Sequence, residues 1–122
     1  MSEAAAPESP TSPCLFCRMV SREIQADEVQ RTPSVLAFRD ISPQAPTHVL
    51  VVPTAHHRDV AALVAADSGV LGEMARVAVS IGERECPGGW RWVFNSGPDA
   101  GQSVHHVHGH VLGGRTMAWP PG

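Results

Sequence analysis

Three histidines at alternate positions, His106, His108 and His110 in "SVHHVHGHVLGG", are the residues of this chain best suited to chemistry. A neutral imidazole keeps one nitrogen lone pair, so it can ligate a metal, attack an electrophile or relay a proton. On a strand, side chains alternate between faces, which puts these three on one side at intervals of about 6.6 Å. Val107, Gly109 and Val111 then turn to the other side, against a core. Three readings follow: a histidine-rich exposed strand, a three-histidine zinc site, or nucleophilic catalysis by the central His108. Ligands strung along one straight strand converge poorly on an ion at about 2.1 Å, so a histidine pair with outside ligands is easier to build.

The loop upstream suits the nucleophile. In "NSGPDAGQS", Asn95 offers an amide, Gly97 and Gly101 admit close backbone approach, and Ser103 offers a hydroxyl beside the strand. Ordinary turns use the same residues, so the loop gains weight only from the imidazoles next to it. At the other end of the chain, Cys14-x-x-Cys17 fits a redox pair, a metal half-site or two small buried hydrophobes. No βαβ pattern surrounds it, which counts against the redox pair. Cys86 reads as structural, and His56 and His57 as solvent-facing loop residues.

Several elements must position these groups. "CLFCRMVSREI" spaces Leu15, Phe16, Met19, Val20 and Ile24 as a short amphipathic helix. Residues 34–40 and 48–54 read as strands, the second a β-branched run of the buried kind that ends at a proline. From about 57 to 86, Val70, Leu71, Met74, Val77, Ala78 and Ile81 recur on one helical face. Asp67-Ser68-Gly69 should break that segment in two, with Asp67 or Ser68 capping the second part. Gly88-Gly89 closes it, residues 90–95 form a strand, and 104–114 form the last one. The order predicts an α+β domain with an antiparallel sheet.

Composition bounds the function classes. The chain has 122 residues, a formal charge of −3 and no basic run, which argues against nucleic-acid or acidic-membrane binding. No apolar stretch is long enough to span a membrane. Residues 1–13 lack the pattern of a secretory signal and read as a disordered tail. Three cysteines are an odd number, which points to a reduced, cytoplasmic setting.

"GQSVHHVHGHVLGGR" resembles the signature of the histidine-triad (HIT) family, three histidines alternating with apolar residues. "AFRDISPQAPTHVLVVP", "FNSGPDAGQS" and the terminal "WPPG" resemble its Hint branch of purine nucleoside phosphoramidases, over residues 14–122. The resemblance implies a HIT domain with a five-stranded antiparallel sheet and two main helices, paired into a homodimer with a continuous sheet. It implies hydrolysis of AMP or GMP joined to an amine, through a nucleotidyl-histidine on His108. His110 would donate to a phosphate oxygen and Ser103 would lie near the leaving amine. Asn95 and Gly101 would bind phosphate or ribose oxygens. Asp40 would hold the ribose, with Leu15, Phe16, Met19, Phe38 and Ile41 around the purine and Trp119 near the partner's site. Those apolar residues could equally be core, and Asp40 a turn residue. Some family members bind zinc through the set corresponding to Cys14, Cys17, His48 and His106; without zinc, His48 would brace His106. Two positions depart from the pattern: Gly109 stands where a bulky residue is usual, and His105 where an aromatic is commoner. Alternatives are a dinucleoside polyphosphate hydrolase and a nucleotide-binding scaffold with residual catalysis.

Overall fold

The segment Thr47–Pro53 is buried at every position, as a β-branched run needs when both its faces meet apolar layers. The computed structural model describes residues 13–122, so the predicted tail, apart from Pro13, lies outside the described residues. In chain order the elements are α1 (Leu15–Val20), β1 (Glu28–Arg31), β2 (Val35–Arg39), β3 (Thr47–Pro53), α2 (Val60–Glu85), β4 (Trp90–Phe94) and β5 (Gly109–Gly113). The strands make one antiparallel sheet in the order β1-β2-β3-β5-β4. This is the five-stranded α+β arrangement that the resemblance implied.

Strand alternation divides the core into two layers. Val35, Ala37, Val49, Val51 and Val111 pack on Leu63, Met74, Val77, Ala78 and Ile81 of α2. Leu36, Phe38, Leu50 and Val52 pack on the opposite side with Phe16 of α1. Asp59 caps α2 by accepting from the Ala62 N–H at 2.9 Å. Within the helix Asp67 leaves helical geometry at φ −161°, ψ 83°. Its carboxylate accepts from the Val70 N–H at 3.3 Å, so the predicted break and recapping fall where expected. The helix starts at Val60 and not near residue 57. Among the described residues, no helix is long and apolar enough to cross a membrane.

Two differences from the sequence reading have physical causes. Strand β1, "EVQR", has no apolar run to announce it and forms by pairing with β2 across a register shift at Glu28/Gln30. The last strand is shorter than predicted: it begins at Gly109, after His106 and His108. Its ladder to β3 stops at Val51–Gly109. Two residues on, the Pro53 carbonyl is engaged by the His106 side chain, with Nε2 at 2.9 Å, in place of a ladder bond. The alternation survives without the ladder, since Val107 joins the α2 layer while His106 and His108 meet Phe16.

Gly109 also finds its explanation. A Cβ at that position would lie 2.2 Å from Trp92 Nε1 and 2.8 Å from Phe94 Cζ. Two β4 rings, edge to face at 4.7 Å, occupy the volume that a side chain on β5 would otherwise take.

Candidate active site

His110 and His48 project from neighbouring strands onto the α1 side of the sheet. Leu50 pairs with His110 and His48 with Leu112, so the two imidazoles are diagonal neighbours within reach of each other. Their partners fix which nitrogens carry protons. The Gln44 backbone N–H donates to His48 Nδ1 at 3.0 Å, and a backbone N–H can only donate. Burial holds His48 below its ordinary pKa against the weaker pull of Asp40. The ring is therefore neutral near pH 7 with its proton on Nε2. That Nε2–H donates to His110 Nδ1 at 2.9 Å, which leaves the His110 proton on Nε2.

His108 is fixed in the complementary sense. Its Nδ1–H donates to the His106 carbonyl at 2.8 Å, so Nε2 keeps the lone pair. Burial lowers its pKa, with the carbonyl bond pulling the other way. The His108 and His110 rings are 4.9 Å apart. A bare nitrogen and an N–H donor therefore stand side by side, both neutral, which is the pairing needed to attack a phosphorus and hold its oxygens.

Asp40 serves the turn and the site together. One carboxylate oxygen accepts from the Ser42 N–H at 2.7 Å, and the other lies 3.5 Å from His48 Nε2. Asp40, His48 and His110 are close enough to suggest a metal cage. The proton on His48 Nε2 opposes that, because both its nitrogens would have to be bare at once. This group is a hydrogen-bond relay.

A second cluster gathers Cys14, Cys17, His56 and His106. The structure corrects the expected zinc set here: His48 belongs to the relay with His110, neither joining the thiols nor bracing His106, and His56 takes its place. His106 donates Nε2–H to Pro53, so its bare Nδ1 faces the thiols. The distances are 3.3 Å from Cys14 Sγ to His106 Nδ1, 3.4 Å from Cys17 Sγ to His56 Nδ1, 3.5 Å from Cys17 Sγ to His106 Nδ1, and 3.2 Å between the imidazoles. Tetrahedral zinc, with bonds of about 2.3 Å to sulfur and 2.0–2.1 Å to nitrogen, has ligand edges of roughly 3.3–3.8 Å. The donor set and its spacing fit that ion. His56 and His57 are not the solvent-facing pair expected. His57 is buried and His56 half-buried, because the His57 carbonyl accepts from the Val107 N–H at 2.7 Å and draws the loop inward.

The remaining predicted residues divide. Phe16 and Phe38 are buried, edge to face with ring centroids 5.4 Å apart, and Met19 packs half-buried beside them. Leu15 and Ile41 are exposed, Ile41 at 94%. Asn95 is half-buried immediately after β4. Gly97 and Gly101 both take positive φ, 87° and 82°, around the turn Pro98–Ala100. Ser103 and His105 line a cavity of about 460 Å³ with Cys14, Leu15 and His56. Trp119 is exposed, and Arg91 sits 5.9 Å from its ring. Sequence reasoning missed Gln102, whose side chain accepts from Gly97 N–H at 3.0 Å and donates to the Arg58 and Val104 carbonyls at 2.8 and 3.1 Å. It pins the loop that carries Gly101 and Ser103. It also missed Gln44, since a backbone amide leaves no trace in residue type.

The buried imidazoles predict a stability profile. His110 is lowered to about 4, first by burial and then by the repulsion it would meet from His108 and His48 as those rings protonate. A folded pKa below the unfolded value means the unfolded chain binds the extra proton. This contribution is complete above about pH 6.5 and drains away as pH falls toward 4, on the order of 2 kcal/mol. Urea titrations at several pH values should show His110→Gln losing less stability than the parent across that window.

The model of the HIT domain matches residues 21–117. The chain belongs to the HIT family. This HIT protein is 42% identical over 124 residues to a 14 kDa zinc-binding protein of Zea mays, covering 98% of this chain and 96% of that one. It is 41% identical over 126 residues to the adenylylsulfatase HINT1 of Arabidopsis thaliana, covering 98% of this chain and 84% of that one. The crystal structure of a HIT family hydrolase from Legionella pneumophila superposes with a TM-score of 0.84 at 43% identity, covering 89% of this chain and 99% of that one. These matches place it among the HIT family hydrolases.

Proposed function

We propose that this protein hydrolyses purine nucleoside 5′-phosphoramidates, such as AMP or GMP joined to an amine, by way of a nucleotidyl-histidine. The observation that carries the reading is the pair of fixed tautomers, His108 with a bare Nε2 beside His110 with an Nε2–H. In the first step the His108 lone pair forms a bond to the α-phosphorus. The P–N bond breaks, its electron pair leaves with the amine nitrogen, and Ser103 assists that nitrogen in taking up a proton. The modified His108 ring now carries positive charge, which the His106 carbonyl accommodates through the Nδ1–H bond. His110 Nε2–H donates to a non-bridging oxygen, while Asn95 and the Gly101 backbone hold phosphate or ribose oxygens. Water then attacks the phosphorus and gives up a proton to solvent, the bond from phosphorus to His108 Nε2 breaks with its electron pair returning to the ring, and the nucleotide departs. Asp40 faces the ribose, and Phe16, Phe38, Met19, Leu15 and Ile41 form the floor and rim of the purine site.

The same intermediate serves other leaving groups, and the adenylylsulfatase name of the Arabidopsis relative favours sulfate as the second choice. Incubation with adenosine 5′-phosphoramidate, adenylyl sulfate and a dinucleoside polyphosphate separates the possibilities by rate of AMP release. Faster turnover of either of the last two would displace the phosphoramidate reading, and no turnover of any would leave a nucleotide-binding scaffold.

Cys14, Cys17, His56 and His106 would hold a structural zinc ion, which would cross-link α1, the loop after β3 and the approach to β5. The zinc-binding name of the maize relative accords with this. Protein purified without added metal should carry about one zinc per chain, and Cys17→Ser should lose it together with about 2–3 kcal/mol of stability. A metal-free parent protein would end the assignment. The resting form is a cytoplasmic homodimer joined through β4, an outer strand whose free edge can extend the sheet into a partner and bring Trp119 near the partner's site.

A further inference from the structure

Outside the sheet, Arg115 lies just past β5 and reaches back to the loop between β2 and β3. Its Nε and Nη2 both donate to the Gln44 carbonyl at 3.2 Å, and its Nη1 donates to the Thr116 carbonyl at 3.1 Å. The two segments are in close contact as well: Gly114 holds φ +88°, and a Cβ on it would lie 2.9 Å from Pro46 Cβ. The other side of the same Gln44 residue is the N–H that donates to His48 Nδ1 at 3.0 Å. From there the relay continues through His48 Nε2–H to His110 Nδ1 at 2.9 Å.

We infer that Arg115 is a positioning residue for His110: by clamping the Gln44 carbonyl it aims the Gln44 amide at His48, and so sets which nitrogen of His110 bears the proton. The inference deepens the proposed function, in which that proton faces the phosphate. The loop that carries Gln44 closes at its base where the Asp40 N–H donates to the His48 carbonyl at 3.0 Å, and inside it the Gln44 side chain donates to the Ser42 carbonyl at 2.9 Å and the Ser42 N–H to Asp40 at 2.7 Å. None of those bonds fixes the rotation of the peptide that carries the Gln44 N–H; the Arg115 clamp constrains it from the far side of the same α-carbon. If that N–H turns away, His48 is free to protonate Nδ1 and present a bare Nε2 to His110. His110 would then keep its proton on Nδ1 and turn a bare nitrogen toward the phosphate.

The test is histidine ¹⁵N NMR on the full chain without substrate, above the titration range of the imidazoles, together with steady-state kinetics. In the parent protein His48 and His110 should both be protonated at Nε2 with Nδ1 bare. Arg115→Ala should add a second tautomer at both rings and lower kcat about tenfold, with KM within about twofold. Arg115→Lys, which keeps one donor, should recover most of both. Gln44→Pro deletes the N–H itself and should give the same tautomer change with Arg115 intact, and the spectra report whether each variant is folded. Protonation of His110 at Nδ1 in the parent, or unchanged tautomers in folded Arg115→Ala, would overturn the inference, and unchanged tautomers in folded Gln44→Pro would remove the amide through which it acts. Because the spectra need no substrate, a protein inactive on phosphoramidates would sink the proposed function while leaving this inference to stand or fall on its tautomers.

Discussion

Replacing His108 by alanine should slow release of AMP from adenosine 5′-phosphoramidate by about 10⁴-fold or more. The expected size comes from what His108 contributes. Its Nε2 is the nitrogen left bare by the bond from Nδ1–H to the His106 carbonyl, so no other atom takes its place when the ring is removed. His110 cannot substitute, because its Nε2 carries a proton and its Nδ1 accepts from His48. His106 cannot substitute either, with Nε2 committed to Pro53 and Nδ1 turned to the thiols. Acid-quenched single turnovers should show a protein-linked nucleotide in the parent protein and none in the variant. Equal rates in the two would remove His108 from the chemistry.

A stability effect of comparable weight is expected at Gly109. Leucine there would drive its Cβ into the Trp92 ring, where 2.2 Å separates the ideal Cβ from Nε1, and into Phe94 at 2.8 Å. Both rings belong to a strand paired to β5 at Trp92–Val111 and Phe94–Gly109, so neither can withdraw without loosening the ladder. Overpacking of this kind should cost about 3 kcal/mol, or roughly 10 °C in Tm for a domain of this size. Combining Gly109→Leu with Trp92→Val removes the closer of the two rings and leaves the Phe94 contact, so part of the loss should return. Thermal melts of the two single variants and the double variant decide it, since independent losses would simply add.

The chemistry of this protein was legible where it depends on side-chain type at short spacing. The triad, the loop before it and the CxxC pair all announce themselves locally, and Gly109 was recognisable as a departure from the usual bulky residue. What could not be read was which distant group meets which. His48 stands at the start of β3 and His56 just past its end, and the choice between them as partner to Cys14 and Cys17 rests on how the loop after β3 folds inward. That fold depends on a bond from Val107 N–H to the His57 carbonyl, between residues far apart in sequence. The His48 relay begins at a backbone amide, and β1 forms through pairing and not through an apolar pattern of its own. Helix α2 was read well because its periodicity and its break both reside in residue types, down to the aspartate that recaps it.

The two faces of the sheet divide two properties that proteins often have to trade against each other. Valines 49, 51 and 111 turn to α2 and the larger apolar layer, while His48 and His110, their chain neighbours, turn to the α1 side. Adjacent residues in β3 and β5 thus belong to different environments, the valines to the apolar layer under α2 and the histidines to the hydrogen-bond relay. Substitutions at His48 or His110 can therefore alter the relay without changing a side chain that packs on α2.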